Sequence, residues 1–373
     1  MSSDSNVKRT KLDPFGTSII ENYENLYGKE FGIQPFKPFL PKISNPAQSM
    51  RRGVIFGHRN FENVLKAMNE KKEFAVMSGI KPSGEFHLGT LMTACEVIYF
   101  QQQGGIAFYC IADVEAYEDN NLSFEESEKI AVSNVTDLLT LGFDPKHGYI
   151  YRQSKEEHVK NLAIIFGRGV TLATMKAIYG ERHMGLYLSA LIQAGDILLP
   201  QLKEFGGPKP TVVPVGIDQD PHLRLTRDLA FKFRKKYKFI SPSSTYHKLI
   251  KALDGSPKMS KRNPLSYFTL EETPEIIEKK ISRAFTGGRP SEKEQRKFGA
   301  NPDICPIYDL YLYQFYEKDE DVIKLRNEEC MSGNLLCGEC KLRLIKIVLK
   351  FVKNHQRKRL RNIDYAREIL SIA

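Results

Sequence analysis

The apolar positions of the chain form two kinds of segment that alternate along roughly its first 270 residues. Short apolar runs typical of buried strands alternate with longer stretches that have the helical repeat of three or four residues. The strand-type runs cover 74–77, 106–112, 149–151 and 211–215, and the helix-type segments cover 88–103, 124–141, 156–166 and 185–202. Strands that alternate with helices indicate right-handed crossovers, so the pattern predicts an α/β fold with a parallel sheet.

Beyond about residue 269 the strand-type runs stop. Helix-type patterns cover 271–283, 307–316, 319–330 and 335–372. The pattern predicts a second, helical domain at the C-terminal end of the chain.

Polar residues follow directly after the strand-type runs. His87 follows the first run, Glu115 the second and Gln219 the fourth. Because ligands of parallel sheets bind at the carboxyl ends of the strands, we expect these side chains to meet at one edge.

Two short segments contain residues that could bind phosphate groups. Residues 82–89 read Pro-Ser-Gly-Glu-Phe-His-Leu-Gly between a predicted strand and a predicted helix, and residues 258–262 read Lys-Met-Ser-Lys-Arg. A helix N-terminus favours a bound anion, and Gly89 lets a ligand approach the backbone. Lys258 and Lys261 can hold phosphates from another side. Together the segments predict a site for a nucleoside triphosphate.

Composition limits the class of protein. The 373 residues carry a formal charge of +10 and are 41% apolar, without any uncharged run of 18 residues. We expect no membrane span, a polyanionic partner and, since the first residues lack the apolar stretch of a signal peptide, a cytoplasmic protein.

Six cysteines are expected to be reduced in a cytoplasmic protein. Cys337 and Cys340 have the spacing of zinc ligands, with Cys330 seven residues upstream. No second close pair of cysteines or histidines completes four ligands. We therefore interpret Cys337 and Cys340 as an ordinary helical pair and expect no metal site in the protein.

The two phosphate-type segments, in this order, resemble the two signatures of class I aminoacyl-tRNA synthetases. Thr90 stands where the first signature has His, and Arg262 where the second usually has Ser. From about residue 12 onwards the chain resembles the tryptophanyl-tRNA synthetases of archaeal and eukaryotic type. This resemblance rests on residues 51–59, 215–222 (Val-Gly-Ile-Asp-Gln-Asp-Pro-His), 225–228, 284–289 and 332–333.

The resemblance implies a Rossmann-like, doubly wound parallel sheet with an α-helical C-terminal domain. It divides the chain into a disordered tail (1–12), an N-terminal extension packed on the catalytic domain (13–70), the catalytic domain (71–268) and a helical tRNA anticodon-binding domain (269–373). It implies a homodimer that activates L-tryptophan with ATP and transfers it to tRNA(Trp). Mg²⁺ would arrive with ATP and would not occupy a dedicated protein site.

The resemblance also assigns residues. The implied catalytic residues are His87, Lys258 and Lys261. Those implied to bind ATP are Gly84, His87, Gly89, Thr90, Gly216, Asp218, Lys258, Met259, Ser260 and Lys261. Those implied to bind the amino acid are Met77, Gly79, Cys110, Glu115, Gln193 and Gln219. Within this last set, Glu115, Gln193 and Gln219 are implied to hold the α-amino group.

The positions that read the indole ring depart from the family pattern. Met77 and Cys110 stand where eukaryotic members have Tyr and Gln, and neither accepts a hydrogen bond well. Candidates for an acceptor of the indole N–H are Tyr187, Ser189 and Glu181.

A basic cluster near the C-terminus is a candidate contact for tRNA. It comprises Arg357, Lys358, Arg359 and Arg361. The alternative is that these charges form a solvated helix face.

Three other functions stay open at this point. A tyrosyl-tRNA synthetase is one, because Asp196 resembles the aspartate that reads the phenol in that enzyme. A catalytically inactive, synthetase-like binding protein is another, and a class I nucleotidyltransferase of a different kind is the third.

Overall fold

A seven-stranded mixed sheet forms the centre of the computed structural model, which describes residues 12–15, 18, 20, 22–28, 31–256, 259 and 263–372. The strands are β1 (Gln34–Pro35), β2 (Ile55–Arg59), β3 (Ala75–Ile80), β4 (Ile106–Ile111), β5 (Gly148–Arg152), β6 (Thr211–Gly216) and β7 (Ser243–His247). Their spatial order is β1-β2-β7-β6-β3-β4-β5. The five strands from β7 to β5 are parallel, and β1 and β2 extend the sheet in antiparallel fashion.

Four of the five parallel strands are the four predicted from apolar runs. Both faces of a parallel sheet are buried, so such strands read as continuous apolar stretches. β7 was missed because its sequence, Ser-Ser-Thr-Tyr-His, is mostly polar, although all five residues are buried. The apolar pattern does not predict β2 either, although β2 lies within the motif at residues 51–59.

Fifteen α-helices occur in the described part of the chain. Nine precede residue 240: α1 (Gln48–Arg51), α2 (Glu62–Asn69), α3 (Leu88–Gln102), α4 (Asp113–Asn120), α5 (Phe124–Leu141), α6 (Glu157–Phe166), α7 (Leu172–Tyr179), α8 (Met184–Leu198) and α9 (Asp220–Tyr237). Six follow: α10 (Pro274–Arg283), α11 (Glu292–Phe298), α12 (Pro306–Leu310), α13 (Asp319–Lys324), α14 (Cys337–Arg359) and α15 (Ile363–Ile372). The absence of strands after residue 269 is confirmed for the described residues.

Local signals account for the best-predicted helix, α5, which has the predicted bounds. Ser123 and Glu126 form a capping box at its start, where the Glu126 N–H donates to the Ser123 hydroxyl at 3.2 Å. Gly142 ends the helix with φ of +110°, a conformation that glycine adopts without strain.

Chain topology places a crevice at the carboxyl end of β3. From β3 the chain runs to β4 and β5 on one side, and β6 and β7 lie on its other side. Such a switch of direction is where doubly wound sheets bind ligands. The doubly wound α/β fold is thereby confirmed.

The C-terminal helices pack directly on the sheet-bearing part of the molecule. α14 and α15 both pack against α5. At this contact, the buried His355 and the partly buried Arg359 each place a nitrogen 2.8 Å from Oδ1 of the fully buried Asp137.

A membrane-spanning segment was not expected. In the described part of the chain, no single helix is long and apolar enough to cross a membrane. One bent pair, 157–169 with 172–179, meets the test by length and composition only.

Candidate active site

A cavity of about 320 Å³ opens at the carboxyl ends of β3, β4 and β6. That volume lies at the lower end of the range for small-molecule sites, about 300–1,000 Å³. All six residues expected to bind the amino acid line it: Met77, Gly79, Cys110, Glu115, Gln193 and Gln219. Gly216, expected to contact ATP, also lines it. Residues that lie between 77 and 219 in the sequence therefore meet in one site.

The walls of the cavity combine apolar and polar surface in about equal parts. Val213, Val215, Ile197 and Leu223 contribute aliphatic surface, together with the buried Met77. Gly79 is needed at the end of β3, because a Cβ there would lie 2.5 Å from the carbonyl oxygen of Cys110. The aliphatic part of the lining suits a flat ring.

Glu115 supplies a negative charge at the rim. It lies in the first turn of α4, whose start is fixed by the fully buried Asp113 through Nε of Arg152 at 3.0 Å and the Ser154 N–H at 2.9 Å. Lys81, which also lines the cavity, places Nζ 3.4 Å from Oε1 of Glu115. The rim therefore already holds one ammonium group beside this carboxylate.

Asp196, which the sequence indicated only under the tyrosyl-tRNA synthetase alternative, is a functional candidate at this site. It lies on α8 one turn after Gln193, lines the cavity and is 2% exposed. Its Oδ1 accepts from the Tyr151 hydroxyl at 2.8 Å, and its Oδ2 accepts from Nε2 of Gln153 at 2.6 Å. Burial raises the pKa of this carboxyl to about 7, against the opposing effect of these donors.

The three acceptors proposed from the sequence lie elsewhere. The Tyr187 hydroxyl donates to the Gly180 carbonyl at 2.6 Å, and the Ser189 hydroxyl donates to the Leu186 carbonyl at 3.0 Å. Glu181 has a side chain that is 79% exposed and pairs with Lys176 at 3.0 Å. None of the three lines the cavity. Asp196 is a buried acceptor that does, and the structure does not bring the three candidates to the site.

The first phosphate-type segment forms the predicted strand, loop and helix start. His87 caps α3, and its Nδ1 accepts from the Gly89 N–H at 3.0 Å. A Cβ at Gly89 would lie 3.0 Å from Cε1 of His87, so glycine lets the imidazole lie against the helix start. Thr90 Oγ1 lies 3.5 Å from Nε2 of the same ring. Thr93, one turn after Gly89, lines the cavity and joins this segment to it.

The remaining residues expected to bind ATP are only partly described. Gly84 lies in the loop before α3, Asp218 is buried in the short turn between β6 and α9, and Met259 packs against the core. Lys258, Ser260 and Lys261 lie outside the described residues.

A buried histidine that sequence reasoning missed stands near Gly216. His247 ends β7, and its Nδ1 lies 2.9 Å from Oε1 of the buried Glu96 on α3. A Cβ at Gly216 would lie 3.5 Å from Nε2 of His247. Glu96 thus orients the buried imidazole of His247 toward the side of the site where the nucleotide is expected. No sequence motif indicates the pairing of Glu96 with His247.

The C-terminal basic cluster divides into two parts. Arg357, Lys358 and Arg361 are exposed near the end of α14. Arg359 instead points inward, with Nε 2.8 Å from Asp137 and a second nitrogen 2.9 Å from Glu271. We therefore no longer expect Arg359 to contact tRNA, because its guanidinium already pairs with two carboxylates of the protein.

A cavity at the switch point of a parallel sheet, next to a strand, loop and capped helix, is typical of an α/β enzyme that binds a nucleotide. A family model for the tRNA synthetases of class I (W and Y) matches residues 68–353, more than half of the chain. The chain belongs to this family.

Similar proteins cover nearly the whole chain. It is 39% identical to a tryptophan–tRNA ligase of Archaeoglobus fulgidus, with 93% of this chain and 96% of that protein aligned. A tryptophan–tRNA ligase of Hyperthermus butylicus is 42% identical over 93% of this chain and 94% of its own.

Solved structures of tryptophanyl-tRNA synthetases are also similar to this chain. The tryptophanyl-tRNA synthetase of Aeropyrum pernix superposes with a TM-score of 0.89 at 40% identity, covering 96% of this chain and 99% of that one. A tryptophanyl-tRNA synthetase from Encephalitozoon cuniculi, solved bound to tryptophan, gives 0.81 at 25% identity over 94% and 97% of the two chains.

Proposed function

We propose that this protein is a tryptophan–tRNA ligase, which activates tryptophan with ATP and transfers it to tRNA(Trp). The observation that carries the proposal is the cavity in which the six expected amino-acid residues meet with buried Asp196. A cavity with aliphatic side chains in its walls, the buried acceptor Asp196 and the carboxylate of Glu115 complements tryptophan, whose ring is apolar except for one N–H and whose other end carries an ammonium.

The amino group of the substrate would bind at the rim. Glu115 supplies charge, and the side-chain amide oxygens of Gln193 and Gln219 supply neutral acceptors. Lys81 pairs with Glu115 and also forms an ion pair with Asp119. Asp119 can therefore retain the lysine while Glu115 turns to the substrate ammonium.

The indole ring would lie between the aliphatic walls, with its N–H directed at Asp196. A buried donor left unpaired costs about 1–3 kcal/mol, so an apolar slot alone would not accept indole well. The Tyr151 and Gln153 donors fix the carboxylate in place and leave lone pairs on its oxygens. The sulfur of Met77 can pack against the ring face.

Adenylate formation would take place at the neighbouring start of α3. His87, Lys258 and Lys261 would stabilise the charge that develops on the phosphates, with Gly89 and Gly216 allowing close approach of ATP. Mg²⁺ would arrive with ATP, since this ion keeps several of its waters and is bound through substrate phosphates more than by an all-protein site.

Two partners complete the proposal. The exposed Arg357, Lys358 and Arg361 would contact the tRNA backbone. A second copy of the chain would pack on helices of the catalytic part, where Ile164, Leu188 and Phe231 are 76%, 53% and 65% exposed on three helices that contact one another in series.

The test is aminoacylation of tRNA(Trp) transcript by the full-length protein, with tryptophan and tyrosine in parallel and charged tRNA resolved on acid gels. We expect charging with tryptophan alone. Tyrosine is the informative competitor, because a buried carboxylate also suits a phenol hydroxyl. Charging with tyrosine alone would refute the substrate, and no charging by folded protein would favour a binding protein without activity. Sedimentation of the same sample tests the dimer.

A further inference from the structure

The loop that carries His87 is held by a short extended segment from the start of the helical part. This segment, the bracing segment from here on, comprises residues 269–272. Thr269 forms an antiparallel bridge with His87, and the Leu270 N–H donates to the Phe86 carbonyl at 3.0 Å. Two successive residues of the bracing segment therefore fix the backbone directly before α3.

The bracing segment is connected to both phosphate-type segments. In the chain it follows the second of them, from which only residues 263–268 separate it. In space it pairs with the first, where the Thr269 hydroxyl also donates to the Glu85 carboxylate. Thr269 and Leu270 are 5% and 0% exposed. A shift of this buried backbone would therefore displace the loop that carries His87.

Helix α14 holds the bracing segment from its other side. Nε2 of Gln356 lies 2.9 Å from the Leu270 carbonyl oxygen and 3.0 Å from the Glu272 carbonyl oxygen. A side-chain amide nitrogen carries two hydrogens, so Gln356 can donate to both carbonyl groups at once. One turn later, Arg359 pairs with Glu271 at 2.9 Å. Three successive residues of the bracing segment are thus bound by side chains of α14.

Helix α5 supports the same loop and is itself bound to α14. Nδ2 of the buried Asn134 donates to the Gly84 carbonyl at 3.2 Å. The nitrogen of Arg359 that pairs with Glu271 also donates to the Ser133 hydroxyl of α5 at 2.8 Å. The loop is therefore held at both ends by elements that α14 contacts.

The contact of Gln356 is more specific than ordinary helix packing. The bracing segment belongs to none of the seven strands. In the described part of the chain, no backbone N–H donates to the carbonyl of Leu270 or of Glu272. A carbonyl group that is shielded from water and has no donor destabilises the fold, so both groups need a side-chain donor. Gln356 is the residue that supplies it.

We propose that Gln356 is a positioning residue for amino-acid activation, although it lies on the helix expected to contact tRNA. Through the bracing segment it would hold His87 and the start of α3 where the phosphates of ATP bind. The inference rests on the proposed function. Groups that act on a transition state work only in the right geometry, and a displacement of about 1 Å can cost about 10²-fold in rate. Arg357 and Lys358 face outward beside it. One helix would therefore offer charge to tRNA on its outer side and complete the phosphate site on its inner side.

Two substitutions of Gln356 separate hydrogen-bond donation from packing. Gln356→Glu keeps the shape and removes both donors, whereas Gln356→Lys keeps donors at a similar reach and changes the shape. In full-length Gln356→Glu, the single-turnover rate of adenylate formation should fall by at least about tenfold. The Kd for tryptophan, measured by equilibrium dialysis, should stay unchanged. Gln356→Lys should recover most of the wild-type rate.

Asn354→Asp is the matched control. It makes the same change from amide to carboxylate at an exposed position of the same helix, two residues away. Neither the rate nor the affinity for tryptophan should change in this variant. If Gln356→Glu does not fold, Gln356→Met replaces it, since methionine removes the donors without adding a charge.

Hydrogen exchange measured by mass spectrometry follows the loop without catalysis. In Gln356→Glu, peptides that cover residues 83–91 and 268–273 should exchange faster than in wild type, while a peptide from β4 should not change. If the wild-type protein forms no adenylate, the proposed function fails, and the exchange of these peptides still decides whether Gln356 holds the loop.

Three results would overturn the proposal. The first is a folded Gln356→Glu variant with a normal rate and normal exchange of the loop. The second is faster exchange throughout the chain, which would mean that Gln356 supports the fold as a whole. The third is a lower rate in Gln356→Lys than in Gln356→Glu, which would mean that shape matters and donation does not.

Discussion

Replacing Asp196 by Asn tests how the proposed site reads the indole ring. The substitution keeps the shape of the side chain and removes its charge. Asp196 lies 2% exposed at the wall of the cavity, where it accepts from Tyr151 at 2.8 Å and Gln153 at 2.6 Å. An amide can still accept from the tyrosine and from indole, but only as a neutral group.

The expected loss follows from the strength of these hydrogen bonds. A bond to a charged acceptor contributes about 1.5–3 kcal/mol and a neutral one about 0.5–1.5 kcal/mol. The difference of about 1–1.5 kcal/mol corresponds to about a 5- to 13-fold lower kcat/KM for tryptophan. The loss should appear above pH 7, where the wild-type carboxylate is ionised.

The activity with tryptophan should increase with pH. Burial raises the pKa of Asp196 to about 7, so the acceptor is protonated below that pH. Since kcat/KM reports groups of the free enzyme, its value for tryptophan should rise with pH through about 7 and then level off. The same profile should be flat for Asp196→Asn between pH 5.5 and pH 8.5.

An analogue without the N–H separates hydrogen bonding from packing. Benzothienylalanine has sulfur in place of the indole nitrogen, so wild type and Asp196→Asn should use it almost equally in ATP–pyrophosphate exchange. Ser189→Ala, on the same helix but not at the cavity, should change neither substrate. An equal loss for tryptophan and for the analogue would show that Asp196 only supports the fold, and our assignment would be wrong.

Three further predictions concern other parts of the molecule. His87→Asn can still cap α3, but it should slow adenylate formation by about 10²-fold in single-turnover assays, because the lost donor acts on charge that develops in the transition state. The affinity for tryptophan should change little. Weaker tryptophan binding at a normal rate would contradict this. Neutralising Arg357, Lys358 and Arg361 together should raise the KM for tRNA and leave ATP–pyrophosphate exchange unchanged. The slope of log binding constant against log salt concentration should become shallower by about 0.7–0.9 per lost contact. An unchanged slope would mean that these residues form a solvated helix face. Arg359→Ala should instead lower the free energy of unfolding by about 3–5 kcal/mol in urea titrations, because it leaves a buried carboxylate with one partner fewer; an unchanged stability with a higher KM for tRNA would contradict this.

The sequence predicted those parts of the fold that depend on local pattern. The apolar runs of β3 and β4 are visible because both faces of each strand are buried, and α5 has caps at both ends. β7 has the burial of a core strand without its composition. Its place is decided by pairing with β2 and β6, and such long-range pairing leaves no local signal.

The candidate site shows the same division. Family resemblance indicated Glu115, Gln193 and Gln219, which all line the cavity. The role of Asp196 depends on the hydroxyl of Tyr151, 45 residues earlier in the chain, and no spacing in the sequence brings the two together. The inward position of Arg359 could not be predicted for a related reason, because a run of basic residues does not show which of them pairs with a buried carboxylate.

Amino-acid-dependent ATP–pyrophosphate exchange, run with each of the twenty amino acids on the full-length protein, tests the central claim most directly. It isolates activation from tRNA binding and therefore depends on the cavity and the neighbouring phosphate site alone. The account predicts exchange with tryptophan and none above background with tyrosine. Exchange with tyrosine while tryptophan is silent, or no exchange by folded protein in the presence of Mg²⁺, would contradict it.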